Sequence, residues 1–111
     1  MSDASAGQIW TIGLWHARPG READFIKFWT EFAAWTCRNQ KGGVHATILQ
    51  DISDATRFVS FGPWDTLDDI ASWRETEEFK AFVAAARDIC ESLQPNTLRV
   101  VAHVTAGGIN A

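Results

Sequence analysis

The chain has 111 residues, 46% of them hydrophobic, and a net charge of −4, with a pI of about 5.2. One domain of ordinary size with a full core follows. Lys and Arg are scattered, never two in a row, which argues against nucleic-acid or acidic-membrane partners. No stretch approaches the roughly 18 consecutive apolar residues of a membrane span. The opening "MSDASAGQ" has no basic or apolar leader region, so a cytoplasmic location is expected.

Residues 1–7 are small and polar and read as a flexible tail. Residues 8–17, "QIWTIGLWHA", carry apolar side chains on both parities, the pattern of a strand buried on two faces. Pro19-Gly20 breaks it. Residues 21–39 have helical period, with Phe25, Phe28, Trp29, Phe32, Trp35 and Thr36 on one side and Ile26, Ala33 and Cys37 widening the stripe. The apolar arc covers roughly 200°, beyond what a plain surface helix needs, so this helix has surface left for a cavity or a second subunit. "KGG" ends it, with Gly42 or Gly43 as the expected cap.

A strand over 44–51, the loop "ISDAT" and a strand over 57–64 come next. Pro63 cannot donate to a ladder, so that strand ends there or runs along an edge. Asp65 stands where an N-cap should be. Leu67, Ile70 and Trp73 follow at helical spacing, and a second helical run extends from Thr76 through Phe79, Phe82, Val83, Ala86, Ile89 and Cys90 to Leu93. Pro95 is expected to stop it. A last strand spans 97–105, and 106–111 is a tail.

The order strand, helix, strand, strand, helix, strand predicts an α+β, ferredoxin-like βαββαβ domain over residues 8–105. Its sheet has four antiparallel strands, with both helices on one face. The first strand is apolar on both sides, so the uncovered face calls for a partner. The simplest is a second copy, sheet against sheet, making a homodimer.

Chemistry-bearing residues are few. Cys37 and Cys90 sit in helical stripes and read as buried free thiols. His16, His45 and His103 have no metal-ligand spacing among themselves or with the cysteines. His45 and His103 fall mid-strand, as core or interface residues or as a cavity acid/base. His45, after the Gly-Gly turn, is the better placed for chemistry, and His16 is expected at the surface. No glycine-rich nucleotide fingerprint is present. The composition is aromatic, with six Trp, seven Phe and no Tyr. Trp64 and Trp73 bracket "GPWDTLDDIASW" and read as core anchors or as walls of a flat pocket. Trp29, Trp35 and Phe32 would supply the opposite wall. Arg74 pairs either with an acidic ligand or with Glu77 or Glu78. Asp68 and Asp69 suit the first turn of a helix.

The "RPG" after the first strand, the "KGGVHATILQD" entry to the second, and the passage from "PWDTLDDIASW" to "RETEEFKAF" resemble the antibiotic biosynthesis monooxygenase domains of the dimeric α/β-barrel superfamily. The resemblance spans about residues 8–105. It implies a Trp ending the third strand, matched by Trp64, and a ligand-facing aromatic one helical stretch later, matched by Trp73. The haem-degrading branch of the family has an Asn on the first strand and a His ligand on the second helix. Gly13 and Val83 or a neighbour stand at those positions here, so no haem is expected.

The leading functional expectation is oxygenation of a small aromatic or polyketide-like substrate in a Trp/Phe-lined pocket, without cofactor or metal. In it His45 is the catalytic residue, and Trp73, Trp64, Trp29, Trp35, Phe32 and Arg74 bind the substrate. The rivals are a non-oxidative cyclase or isomerase, or a non-catalytic small-ligand-binding dimer, of the same fold.

Overall fold

The computed structural model describes residues 7–110, with side chains through Gly108. The expected N-terminal tail therefore lies outside the described residues except for Gly7, and Ala111 also lies outside. The first strand, apolar on both parities, forms β1 (Ile9–Ala17). Gly20, at φ +86°, turns the chain after it. The wide apolar stripe forms α1 (Glu22–Asn39). Then come β2 (Thr47–Gln50), β3 (Arg57–Trp64), α2 (Leu67–Arg74), α3 (Glu77–Ile89), β4 (Cys90–Arg99), and a short hairpin of β5 (His103–Thr105) and β6 (Gly108–Asn110).

The main sheet runs β2-β3-β1-β4, antiparallel at every pairing. This is the ferredoxin-like arrangement the element order predicts. Pro63 lies in a central strand, but β2 pairs β3 only between Phe58 and Phe61. Its missing N–H therefore falls beyond that ladder.

Several boundaries differ from the sequence expectation. The helical run stops at Ile89 instead of Leu93, and β4 begins at once with Cys90 in extended backbone, φ −112° and ψ 143°. The cause is a bulge. Ala17 pairs with Cys90 and His16 with Ser92, so Glu91 is left over. Trp15 faces Leu93, so the bulge puts Cys90 and Leu93, three residues apart, on one face. In a strand that spacing imitates a helical period. Pro95 stops no helix; it lies in β4, an edge strand that tolerates it. The expected last strand is split, with His103 in the separate hairpin, and residues 108–110 of the expected tail form β6.

Helix caps differ by a residue or more. Thr66, not Asp65, caps α2, its Oγ1 accepting from Asp69 N at 3.0 Å. Gln40 caps α1, and Gly42 sits in the following turn at φ +89°. Thr76 caps α3, accepting from Phe79 N. The β2 strand starts at Thr47, which leaves His45 in the connection before it.

Alternate residues of β1 face opposite ways. Trp15 meets Phe25 of α1 at 5.1 Å and Phe82 of α3 at 5.7 Å between ring centroids. Ala17, Phe25, Phe58, Ile89 and Cys90 form the buried core, with Trp15, Phe28, Trp29 and Ile48 packed on it. Fully burying a side chain such as Phe25 is worth about 1.5–3 kcal/mol. The other parity bears Trp10, Ile12 and Leu14, with Val59 opposite Leu14. On this uncovered face Leu14, Leu49, Val59 and Leu98 stay 38–54% exposed. No helix among the described residues is long and apolar enough to cross a membrane.

Candidate functional site

A cavity of about 420 Å³ lies between the sheet and the helices. Its floor is set by β1 and β3, where Thr11, Gly13 and Trp15 lie beside Ser60, Gly62 and Trp64. Gly13 is directly opposite Ser60 in register. A Cβ at Gly13 would stand 2.7 Å from Trp15 Nε1 and 2.8 Å from Ser60 Oγ, so only glycine leaves room for that pair. Gly62 is confined in the same way, since a Cβ there would meet the His45 carbonyl oxygen at 2.6 Å.

The walls come from the helices. Trp29, Phe32, Thr36 and Cys37 project from α1, and Phe79, Phe82, Val83 and Arg87 from α3. Phe32 stacks on Phe82 at 4.1 Å and 11°. It also stacks on Trp73 at 5.9 Å and 23°. Trp64 and Trp73 touch each other at 4.9 Å.

Three indole N–H groups in these walls end on hydroxyls. Trp15 donates to Ser60 Oγ at 2.9 Å. Trp64 donates to Thr11 Oγ1 at 3.1 Å. Trp73 donates to Thr36 Oγ1 at 3.0 Å. Thr36 and Ser60 are buried, at 7% and 8% exposure. All six side chains line the cavity.

The structure brings most of the expected site residues together. Trp64, Trp73, Trp29, Phe32 and Arg74 line the cavity, and so does His45. Trp35 is not among the lining residues; it stacks on Phe32 at 5.9 Å. His45 is exposed, and its ring stands edge-on to Trp10 at 6.1 Å. Arg74 pairs with neither Glu77 nor Glu78. Its Nη2 donates to Thr97 Oγ1 at 3.1 Å, and Glu77 lies nearest Lys80. His16 faces Glu91 at 3.4 Å, and His103 lies away from the cavity.

Four lining residues carry titratable side chains: Cys37, His45, Arg74 and Arg87. Burial pushes the Cys37 thiol above its ordinary range, keeping it protonated at neutral pH. No carboxylate lines the cavity among the described residues, although the whole chain is acidic. No group of three His, Cys, Asp or Glu side chains among them could hold a metal ion. Gly13 and Val83, which the resemblance sets at or next to the haem-branch positions, line the cavity without a side-chain donor atom, so these residues do not fit that group.

Thr11, Ser60, Cys37 and Arg87 escaped the sequence reading as site residues. Thr36 was visible within the α1 stripe but not as a site residue. A lone polar side chain in an apolar stripe was the available signal for it. Thr11 and Ser60 sit on the inward parity of their strands, which only the tertiary fold turns into a cavity floor.

A family model described as antibiotic biosynthesis monooxygenase matches residues 9–85. No curated protein matches the chain in sequence. Several solved structures share the fold. SnoaB, a cofactor-independent oxygenase from Streptomyces nogalater, is 19% identical with a TM-score of 0.78, over 91% of this chain and 98% of that one. PA3566 from Pseudomonas aeruginosa is 18% identical with a TM-score of 0.74, over 90% and 100%. A conserved protein from Methanosarcina mazei Go1 is 12% identical with a TM-score of 0.76, over 85% and 93%.

Proposed function

The chain belongs to the antibiotic biosynthesis monooxygenase family, and from that premise we propose that it oxygenates a small, flat aromatic or polyketide-like substrate held in the Trp/Phe cavity. One observation carries this reading. The cavity is walled by stacked aromatics and contains no carboxylate among the described residues, and the one lining residue suited to accept a proton is His45, which is exposed and whose ring stands against Trp10. Arginine does not lose its proton in proteins, and the Cys37 thiol is held protonated by burial. His45 remains, and a neutral imidazole carries a ring nitrogen that can accept a proton.

In the proposed reaction the aromatic walls hold the substrate out of water and orient it. His45 accepts a proton from an acidic C–H or O–H of the substrate. The electron-rich anion then reduces dioxygen directly. One oxygen atom is kept as a new carbonyl and the other leaves as water, so a CH₂ group and O₂ become C=O and H₂O. The proton returns from His45 to that water. No resident metal or flavin takes part in this scheme. Its support is the absence of metal-ligand spacing and of a nucleotide fingerprint in the sequence.

The protein works as a homodimer in this reading. The face of the sheet away from the helices carries Trp10, Leu14, Leu49, Val59 and Leu98, more apolar surface than one chain covers. The Trp10 indole N–H is buried there with no acceptor among the described residues. A second copy across that face supplies both apolar cover and an acceptor.

Oxygen uptake with dihydroxyanthrone, a flat probe with an acidic CH₂, tests the reaction. Uptake faster than the uncatalysed rate, with one labelled oxygen atom retained from ¹⁸O₂, is expected. His45→Ala should lower the rate by roughly 10²–10⁴, the usual loss of a general base. Probe that binds in the cavity and oxidises no faster than in buffer would leave a binding protein or an isomerase.

A further inference from the structure

Indole N–H groups fix three hydroxyls in the cavity wall, and each hydroxyl still has its own hydrogen to place. A Ser or Thr hydroxyl has one donor and two acceptor sites. Ser60, Thr11 and Thr36 each use an acceptor site on Trp15, Trp64 and Trp73 respectively. None of the three donates to another described residue. Thr36 and Ser60 are buried and Thr11 is half-buried, and a buried donor is costly to leave without an acceptor. An O–H whose oxygen already accepts an N–H is also the stronger donor for it.

We infer that Thr11, Thr36 and Ser60 are the specificity contacts of the cavity, and that they select a flat aromatic with acceptor oxygens, carbonyl or phenolate, on its edges. The inference rests on the cavity being a ligand site, as proposed above. The surrounding charge agrees with it. Arg74 and Arg87 line the cavity, and no carboxylate does so among the described residues. A protonated amine on the ring would meet the positive charge of Arg74 and Arg87 with no carboxylate among the described lining residues to offset it. A bare hydrocarbon would leave the three hydroxyls unpaired. The tryptophans then have two functions, wall by their faces and orientation by their edges. Gly13 completes the device, because a Cβ there would push apart Trp15 Nε1 and Ser60 Oγ.

Anthraquinone and anthracene share a three-ring frame and differ by two acceptor oxygens, and neither is a substrate for the proposed reaction. Their binding can be read by quenching of tryptophan fluorescence. Anthraquinone should bind at least tenfold more tightly. Thr36→Val and Ser60→Ala should each weaken anthraquinone by roughly threefold to tenfold, the effect of one hydrogen bond, and leave anthracene unchanged. Thr36→Ser should restore wild-type binding. Trp73→Phe keeps the wall and removes the orienting N–H, so it should also cost anthraquinone alone. Equal binding of both probes, indifferent to these substitutions, would overturn the hydroxyl inference while leaving the cavity a ligand site. If neither probe binds, the ligand-site reading fails and this inference fails with it.

Discussion

Trp64 and Trp73 lean on one another with ring centroids 4.9 Å apart and planes at 39°, and their N–H groups point into different layers of the fold. Trp64 donates to Thr11 in the sheet, and Trp73 donates to Thr36 on α1. The two rings thus tie the end of β3 to both the floor and a wall of the cavity. Thr66 makes this possible by capping α2 directly after the strand, so that only eight residues of chain separate Trp64 from the turn carrying Trp73. An aromatic pair in this geometry adds about 0.5–1.5 kcal/mol beyond the area it buries.

The two rings should respond differently to mutation. Trp64 is 5% exposed and packs over Gly43, where a Cβ would stand 3.1 Å from its ring. Trp64→Ala should therefore lower stability by about 3–5 kcal/mol, the range for a large core aromatic. Trp73 is only partly buried, and Trp73→Phe keeps most of its packing. That variant loses one hydrogen bond, about 0.5–1.5 kcal/mol. Denaturant titration of both variants checks this. A Trp64→Ala protein with an unchanged midpoint would mean the ring is not the staple its burial indicates.

Gly13→Ala should destabilise the fold by about 1–3 kcal/mol through overpacking. The added methyl has no space between the Trp15 indole nitrogen and the Ser60 hydroxyl. Pairing it with Ser60→Ala removes one of the two crowding atoms and should recover part of the loss. A thermal melt of the single and double variants decides the matter, and strict additivity of the two changes would rule out the clash as the cause.

Much of this architecture is legible in the residues, and the failures have physical causes. The strand over 57–64 is found at the expected residues, because turn residues flank it on both sides. The α1 stripe is equally plain, since six of its apolar or small residues repeat at helical spacing. The run from Phe79 to Leu93 misleads, because the bulge at Glu91 lets a strand keep a three-residue spacing. Asp65 and Thr66 are both competent caps, and local preference does not choose between adjacent candidates. The cavity itself is legible only as surplus aromatic surface. Its hydroxyl lining depends on strand register, which brings Gly13 opposite Ser60 across 47 residues of sequence.

Cys37 lines the cavity and its thiol is pushed up by burial. The thiolate is the reactive form, so alkylation of Cys37 by iodoacetamide should be slow near neutral pH. It should rise only as the pH passes above the ordinary thiol range. The linkage has the same sign. A folded-state pKa above the unfolded one gives stability that is complete below the unfolded value and is lost as pH rises through the folded one. Anthraquinone in the cavity should slow labelling of Cys37, followed by peptide mass mapping. Fast labelling at neutral pH, unaffected by the probe, would contradict both the burial and the site.

Dimerisation through the open sheet face makes the last prediction. Leu14 and Val59 sit opposite each other in register and are 41% and 38% exposed in the single chain. Leu98 beside Trp10 is half exposed, and the Trp10 N–H has no acceptor among the described residues. Sedimentation velocity at micromolar concentration should give about twice the 12.3 kDa chain mass. Leu14→Arg places a charge at the centre of that face without touching the core or the cavity. It should shift the protein to monomer while leaving its circular dichroism unchanged. A wild-type chain that sediments as a stable monomer would show that the apolar face needs no second copy. A Leu14→Arg dimer would place the contact on another surface.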